Sequence, residues 1–187
     1  MNKTAQLIRT GKSIFTISEI TDIWNTSNDV SKSTAYRMVK KGNLFRLRRG
    51  FFSLTKDVNL FELGCKLVPG SYVSLFTVLK EKGVIFQETR QIYLMAERPK
   101  TLKVAGQSFE YHSIKNLLYV PDGISFEKTY SIAGLERALL EVFSLFDTDY
   151  SDFKISGFDR ELFLRLSRIF NKRTQKKAAE FLKYISS

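Results

Sequence analysis

Two adjoining stretches carry the fold. The first is Val30-Ser31-Lys32-Ser33-Thr34-Ala35-Tyr36-Arg37-Met38-Val39-Lys40-Lys41-Gly42. The second, after Asn43, is Leu44-Phe45-Arg46-Leu47-Arg48-Arg49-Gly50-Phe51-Phe52-Ser53-Leu54. In the first, Ser31 is a suitable N-cap and Gly42 a suitable stop. Lys40 and Lys41 suit the negative end of a helix dipole. Ala35, Met38 and Val39 make an apolar face at helical spacing, and Ser33, Arg37 and Lys40 lie opposite, flanked by Lys32 and Tyr36. The second stretch alternates, turns and alternates again. Phe45 and Leu47 point one way and Arg46 and Arg48 the other, and Arg49-Gly50 supplies the turn because glycine tolerates positive φ. A capped basic helix followed by a hairpin with a cationic tip is therefore expected.

The residues before this stretch complete a scaffold. Residues 3–9 read as a first helix, ended by Gly11. Thr16 and Glu19 have capping-box spacing, with Phe15 and Ile20 placed as the hydrophobic staple. Ile20, Ile23 and Trp24 then share one helix face. Asn25-Thr26-Ser27-Asn28-Asp29 is turn chemistry. Two helices around a turn, then a hairpin, predict a winged helix-turn-helix over residues 1–56. Small polar residues early in the second helix can approach base edges, and long cations can reach phosphates and guanines. Arginines on a wing suit the sugar-phosphate backbone or the minor groove. The candidate DNA-binding residues are Lys32, Ser33, Tyr36, Arg37, Lys40, Lys41, Arg46, Arg48 and Arg49.

The distribution of charge agrees with this scaffold. The chain has 187 residues, with 30 Lys plus Arg against 19 Asp plus Glu, a net charge of +11. Residues 1–56 are net +8, residues 57–150 net −2 and residues 151–187 net +5. No acidic residue lies between Lys32 and Lys56. Such an excess points to a polyanionic partner, with double-stranded DNA favoured over a winged helix used only for protein contacts.

Composition narrows the chemistry. There is one His, His112, and one Cys, Cys65. A Cys/His zinc site lacks ligands, and one cysteine forms no internal disulfide, as befits a reducing compartment. No signal peptide follows Lys3 and Arg9, and no apolar run reaches membrane-spanning length. The expectation is a cytoplasmic protein with no catalytic residues, no cofactor, no metal and no membrane contact.

The wing and two later segments resemble the AbiEi-type antitoxins, the DNA-binding half of bacterial abortive-infection (type IV) toxin–antitoxin pairs. The similarity runs from about Phe15 to Phe143. It rests on Ser33-Thr34-Ala35-Tyr36-Arg37 leading into Gly42-Asn43-Leu44-Phe45-Arg46-Leu47-Arg48-Arg49-Gly50-Phe51-Phe52. It rests also on Tyr72-Val73-Ser74-Leu75-Phe76-Thr77-Val78-Leu79 before Gly83-Val84, and on Ser131-Ile132-Ala133-Gly134-Leu135-Glu136-Arg137-Ala138-Leu139-Leu140-Glu141. Leu75 and Lys82 stand where the family has a polar pair, Leu135 where it commonly has Pro, and Glu141 where it commonly has Asp. The resemblance implies a transcriptional repressor binding inverted repeats upstream of its own operon. It also implies a cognate nucleotidyltransferase-like toxin that this chain counters.

Residues 57–187 are expected to form an α+β domain ending in basic helices, so that the fold class is α+β: a winged helix-turn-helix, a mixed α/β domain and a C-terminal helical hairpin. Helices are expected over 58–66, 74–81 and 133–146, and strands over 91–95, 102–107 and 109–114. Glu136 and Arg137 read as a pair tethering their helix to a neighbour. His112 reads as a hydrogen-bonded structural residue and Cys65 as a small buried hydrophobe. Asp147 and Asp149 have metal-ligand spacing, but no phosphate-cradling Gly-Ser or third carboxylate accompanies them, so an exposed connection is expected. Asp159 and Thr174 are candidate caps of the last two helices, with Leu162, Phe163, Leu166, Ile169 and Phe170, then Ala178, Phe181, Leu182 and Ile185, turned inward. Arg160, Arg165, Arg168, Lys172, Arg173, Lys176 and Lys177 lie outside, as a solvated face or as a surface for phosphate or an acidic partner.

The function that follows is a sequence-specific DNA-binding repressor of its own toxin–antitoxin operon, acting as antitoxin and not as an enzyme. The alternative is a protein-interaction module that binds a toxin or other partner directly, with DNA binding incidental.

Overall fold

The computed structural model describes residues 2–86, 90–115 and 120–186. The chain is α+β and divides into two compact units. One is Met1–Leu63 with Val104–Gly106, the other Gly64–Lys103 with Gln107–Ser187.

In the first unit, α1 (Lys3–Ile8) precedes β1 (Ile14–Thr16), α2 (Ile17–Trp24) and α3 (Asn28–Lys40), and the hairpin of β2 (Phe45–Arg48) and β3 (Phe51–Ser53) follows. Local signals start α2. The Thr16 hydroxyl accepts from Glu19 N, and the Glu19 carboxylate accepts from Thr16 N. Phe15 and Ile20, on either side of this capping box, are fully buried in one cluster with Leu7, Trp24, Ala35, Met38, Leu44 and Phe52. Burying side chains of this size stabilises by about 1.5–3 kcal/mol each. Asn25, in the left-handed region at φ 47, ends α2. The three strands form an antiparallel sheet in the order β1-β3-β2, with a register shift between Arg46 and Arg48. Glu62 anchors the entry to β1: its carboxylate accepts from Ser13 Oγ at 2.7 Å and Ile14 N at 3.1 Å.

The start of α3 differs from the sequence reading. Ser27, not Ser31, is the N-cap: its backbone is extended and its hydroxyl accepts from Val30 N. Asn28 and Asp29 therefore lie inside the helix, where Asp29 suits the positive end of the dipole. Ser31 is fully buried, its hydroxyl 2.7 Å from Thr26 Oγ1. Both serines have capping chemistry, and burial against Thr26 takes Ser31 out of contention.

The second unit holds a six-stranded mixed sheet in the order β6-β7-β5-β4-β9-β8. Its strands are β4 (Tyr72–Val73), β5 (Gln91–Met95), β6 (Lys100–Val104), β7 (Gln107–His112), β8 (Ile124–Glu127) and β9 (Tyr130–Ala133). β4 pairs antiparallel with β5 and parallel with β9, and β5 runs parallel to β7. The helices are α4 (Leu60–Leu67), which enters this unit from Gly64 onward, α5 (Leu75–Glu81), α6 (Leu135–Leu145), α7 (Arg160–Ser167) and α8 (Lys172–Tyr184). Gly64 lets α4 approach the sheet closely, since a Cβ there would stand 2.9 Å from Leu94 Cδ2 and 3.1 Å from Phe109 Cδ1. Phe143, Phe163 and Phe181, from α6, α7 and α8, meet with centroids 5.3 and 5.9 Å from Phe181.

Asp159 caps α7 as expected, its carboxylate accepting from Leu162 N. α8 is capped by Asn171, not Thr174: Asn171 Oδ1 accepts from both the Thr174 amide and its hydroxyl. Thr174 is itself buried. Ile169, expected inside, is 41% exposed because α7 closes at Ser167 with Arg168 as C-cap. The helical phase that would have turned Ile169 inward ends before it.

Glu136 and Arg137 do not pair with each other. Glu136 accepts from the Asp159 amide at 2.8 Å and so holds the start of α7. Arg137 is fully buried and bonds Glu141 at 2.8 Å, the Tyr72 hydroxyl at 2.9 Å and the carbonyls of Val120 and Asp122 at 2.6 Å each. Tyr72 and Ser74 also donate to the Glu141 carboxylate. Burial pushes the Glu141 carboxyl above the ordinary glutamate value, opposed by the Arg137 charge and by these donors.

Candidate nucleic-acid interface

The first unit presents a cleft of about 500 Å³ between α3 and the β2–β3 hairpin. It is lined by Lys32, Ser33 and Tyr36 from α3, by Arg46, Arg49, Gly50 and Phe52 from the hairpin, and by Ile17 from the first turn of α2. Lys32 and Tyr36, four residues apart, share one face of α3, with Ser33 at its border. The hairpin is held beside them by the Ile17 amide, which donates to the Gly50 carbonyl at 2.9 Å. Gly50 takes φ +80, a conformation that favours glycine.

Five of the nine residues singled out by sequence thus line one cleft: Lys32, Ser33, Tyr36, Arg46 and Arg49. The other four, Arg37, Lys40, Lys41 and Arg48, are exposed residues of the same elements or of the α3 C-cap, outside that lining. Arg37 donates to Thr34 Oγ1 at 3.2 Å. The Lys40 ammonium stands 4.9 Å from the centre of the Tyr36 ring, and the Arg48 guanidinium 5.3 Å from that of Phe51. Among the described residues, no carboxylate pairs with Arg37, Lys40, Lys41, Arg46, Arg48 or Arg49. Lys32 has only Asp29, at 3.7 Å and highly exposed, a pair of little energetic weight. Rings hold Lys40 and Arg48 without neutralising them, so their charge stays available to an anion.

Three lining residues escaped the sequence reading: Ile17, Gly50 and Phe52. Gly50 reads as turn chemistry, and nothing local in the sequence marks Ile17 or Phe52 for a site. Lys56, 5.8 Å from the Phe45 ring centre, also adds charge at the hairpin and was not singled out.

His112 Nε2 lies 2.8 Å from Glu110 Oε1 without the alignment of a hydrogen bond. Its ring packs against Tyr93 and Phe146. Burial pushes the Cys65 thiol up to about 11. Asp147 and Asp149 are exposed, and Asp147 faces Lys177 at 3.5 Å. Among the described residues no group of three or more His, Cys, Asp or Glu side chains is placed to hold a metal ion, and no helix is long and apolar enough to cross a membrane. No family model matches the chain, and no curated protein matches it.

Proposed function

We propose that the first unit is a winged helix-turn-helix that binds double-stranded DNA. In this reading α3 enters the major groove, with Ser33 and Arg37 toward base edges. The β2–β3 hairpin is the wing, with Arg46, Arg48 and Arg49 on the backbone or in the minor groove. The observation that carries the reading is the cleft, where uncompensated cations of the hairpin stand beside the polar face of α3. A surface built for an apolar protein partner has no need of so many unpaired cations.

We propose further that the protein represses its own toxin–antitoxin operon and counters a nucleotidyltransferase-like toxin. This rests on the resemblance of the wing and of the Ser131–Glu141 segment to AbiEi-type antitoxins. The test is a titration of labelled DNA from immediately upstream of the gene against a scrambled duplex, at several salt concentrations. A clear preference for the native duplex is expected. Equal binding that vanishes as salt rises would reduce the interaction to counterion release and leave direct binding of a protein partner as the better reading.

A further inference from the structure

The α3–hairpin cleft has a floor of carbon beneath a rim of cations. Phe52 is 7% exposed and Ile17 half-buried, whereas Lys32, Arg46 and Arg49 are exposed. Phosphate contacts require the rim but not the floor. The Tyr36 ring, 54% exposed, closes one side, steadied by Lys40 at 4.9 Å from its centre. The α3 side chains that line the cleft include no amide able to bond adenine in bidentate fashion, and the Ser33 hydroxyl already donates to the Val30 carbonyl at 3.0 Å. On this side the Tyr36 ring, with Ile17 and Phe52, offers a base apolar contact, and the group that duplex DNA offers to such contact in the major groove is the C5-methyl of thymine.

We propose that this cleft takes the methyl edge of a thymine and its deoxyribose against Ile17, Tyr36 and Phe52, with the adjoining phosphates on Lys32, Arg46 and Arg49. Tyr36 is then a specificity-determining residue. The inference rests on the DNA-binding reading above and adds to it the chemical group that is read. At about 500 Å³ the cleft has room for a sugar and a base edge, well beyond a single phosphate.

The experiment titrates the full chain with the duplex immediately upstream of its gene, prepared once with thymine and once with deoxyuridine throughout. The exchange removes only methyl groups and leaves charge and hydrogen-bonding pattern in place. Wild type should bind the deoxyuridine duplex more weakly, by about fourfold for each methyl read. Single thymine-to-deoxyuridine exchanges then locate the position. Tyr36→Ala should bind the thymine duplex more weakly and lose the discrimination, whereas Tyr36→Phe should keep it. The exposure of Tyr36 makes both variants compatible with folding, which a thermal melt checks. Equal binding of the two duplexes by wild type overturns the inference and leaves DNA binding standing, as does undiminished discrimination by Tyr36→Ala. Binding to neither duplex overturns the DNA reading and this one with it.

Discussion

Arg37 and Arg48 carry the same charge on different supports, and the proposed function assigns them different work. Arg37 projects from α3 with one donor on Thr34. Arg37→Ala should relax sequence preference at one operator position, at a cost of about 1–3 kcal/mol, while leaving binding to a scrambled duplex nearly unchanged. Arg48 lies over Phe51 on the hairpin. Arg48→Ala should weaken native and scrambled duplexes alike and flatten the plot of log K against log salt by about 0.9. Titrations of both duplexes over a salt series separate these outcomes; the same response from both variants would contradict the division of labour. Cys65, the sole cysteine, makes a separate prediction. With its thiol pushed up to about 11, it should carry about a hundredfold less thiolate at pH 8 than an unperturbed cysteine. Iodoacetamide should label it slowly in the native protein and at the ordinary rate in guanidinium. Cys65 is half-buried and not the fully buried residue expected, and rapid native labelling would mean that this partial burial does not hold the thiol up.

Among the helices, the caps and charges of α3 and α8 differ in kind. Ser27→Ala should cost about 1 kcal/mol, read as a lower urea midpoint, because it removes the acceptor of the Val30 amide. α8 runs against its dipole: Lys172 and Arg173 occupy its first turn, which holds no acidic residue. Each cation there is unfavourable by about 0.3–1 kcal/mol. Lys172→Glu with Arg173→Glu should therefore raise the thermal midpoint, and a lower one would show that these side chains contribute contacts that outweigh their charge. The sequence left this basic face open between solvation and binding, and in the structure Lys176 pairs with Glu180 and Lys177 with Asp147, whereas Lys172 and Arg173 stand at the unfavourable end of the dipole.

At the scale of the whole molecule, stability leans on the buried Arg137–Glu141 pair of the second unit, with both side chains fully buried. Arg137→Met would leave the Glu141 carboxylate without its cation and should cost about 3–5 kcal/mol. Pairing it with Glu141→Leu should recover much of that loss, since a buried ion pair is often no more stable than apolar residues of similar volume. Urea denaturation of the two single variants and the double variant gives the coupling. Additive losses would show that the pair is not coupled.

What the sequence by itself determined is whatever depends on near neighbours. The capping box of Thr16 and Glu19 sets where α2 starts, the alternation about Arg49-Gly50 sets the hairpin, and helical spacing sets the buried faces of α2 and α3. Each of these is written within a few residues, because each depends on local hydrogen bonds and a repeating period. The tertiary structure decided the rest. Two serines could have capped α3, and only the packing of Ser31 against Thr26 leaves the task to Ser27. Glu136 and Arg137 stand side by side in the sequence, yet one holds Asp159 and the other Tyr72 and Glu141, because adjacent helical residues point in different directions. The candidate site divides the same way. Its cations were legible as a run without acids. Its apolar floor was not, because Ile17 and Phe52 come from different elements and meet only once the core has packed.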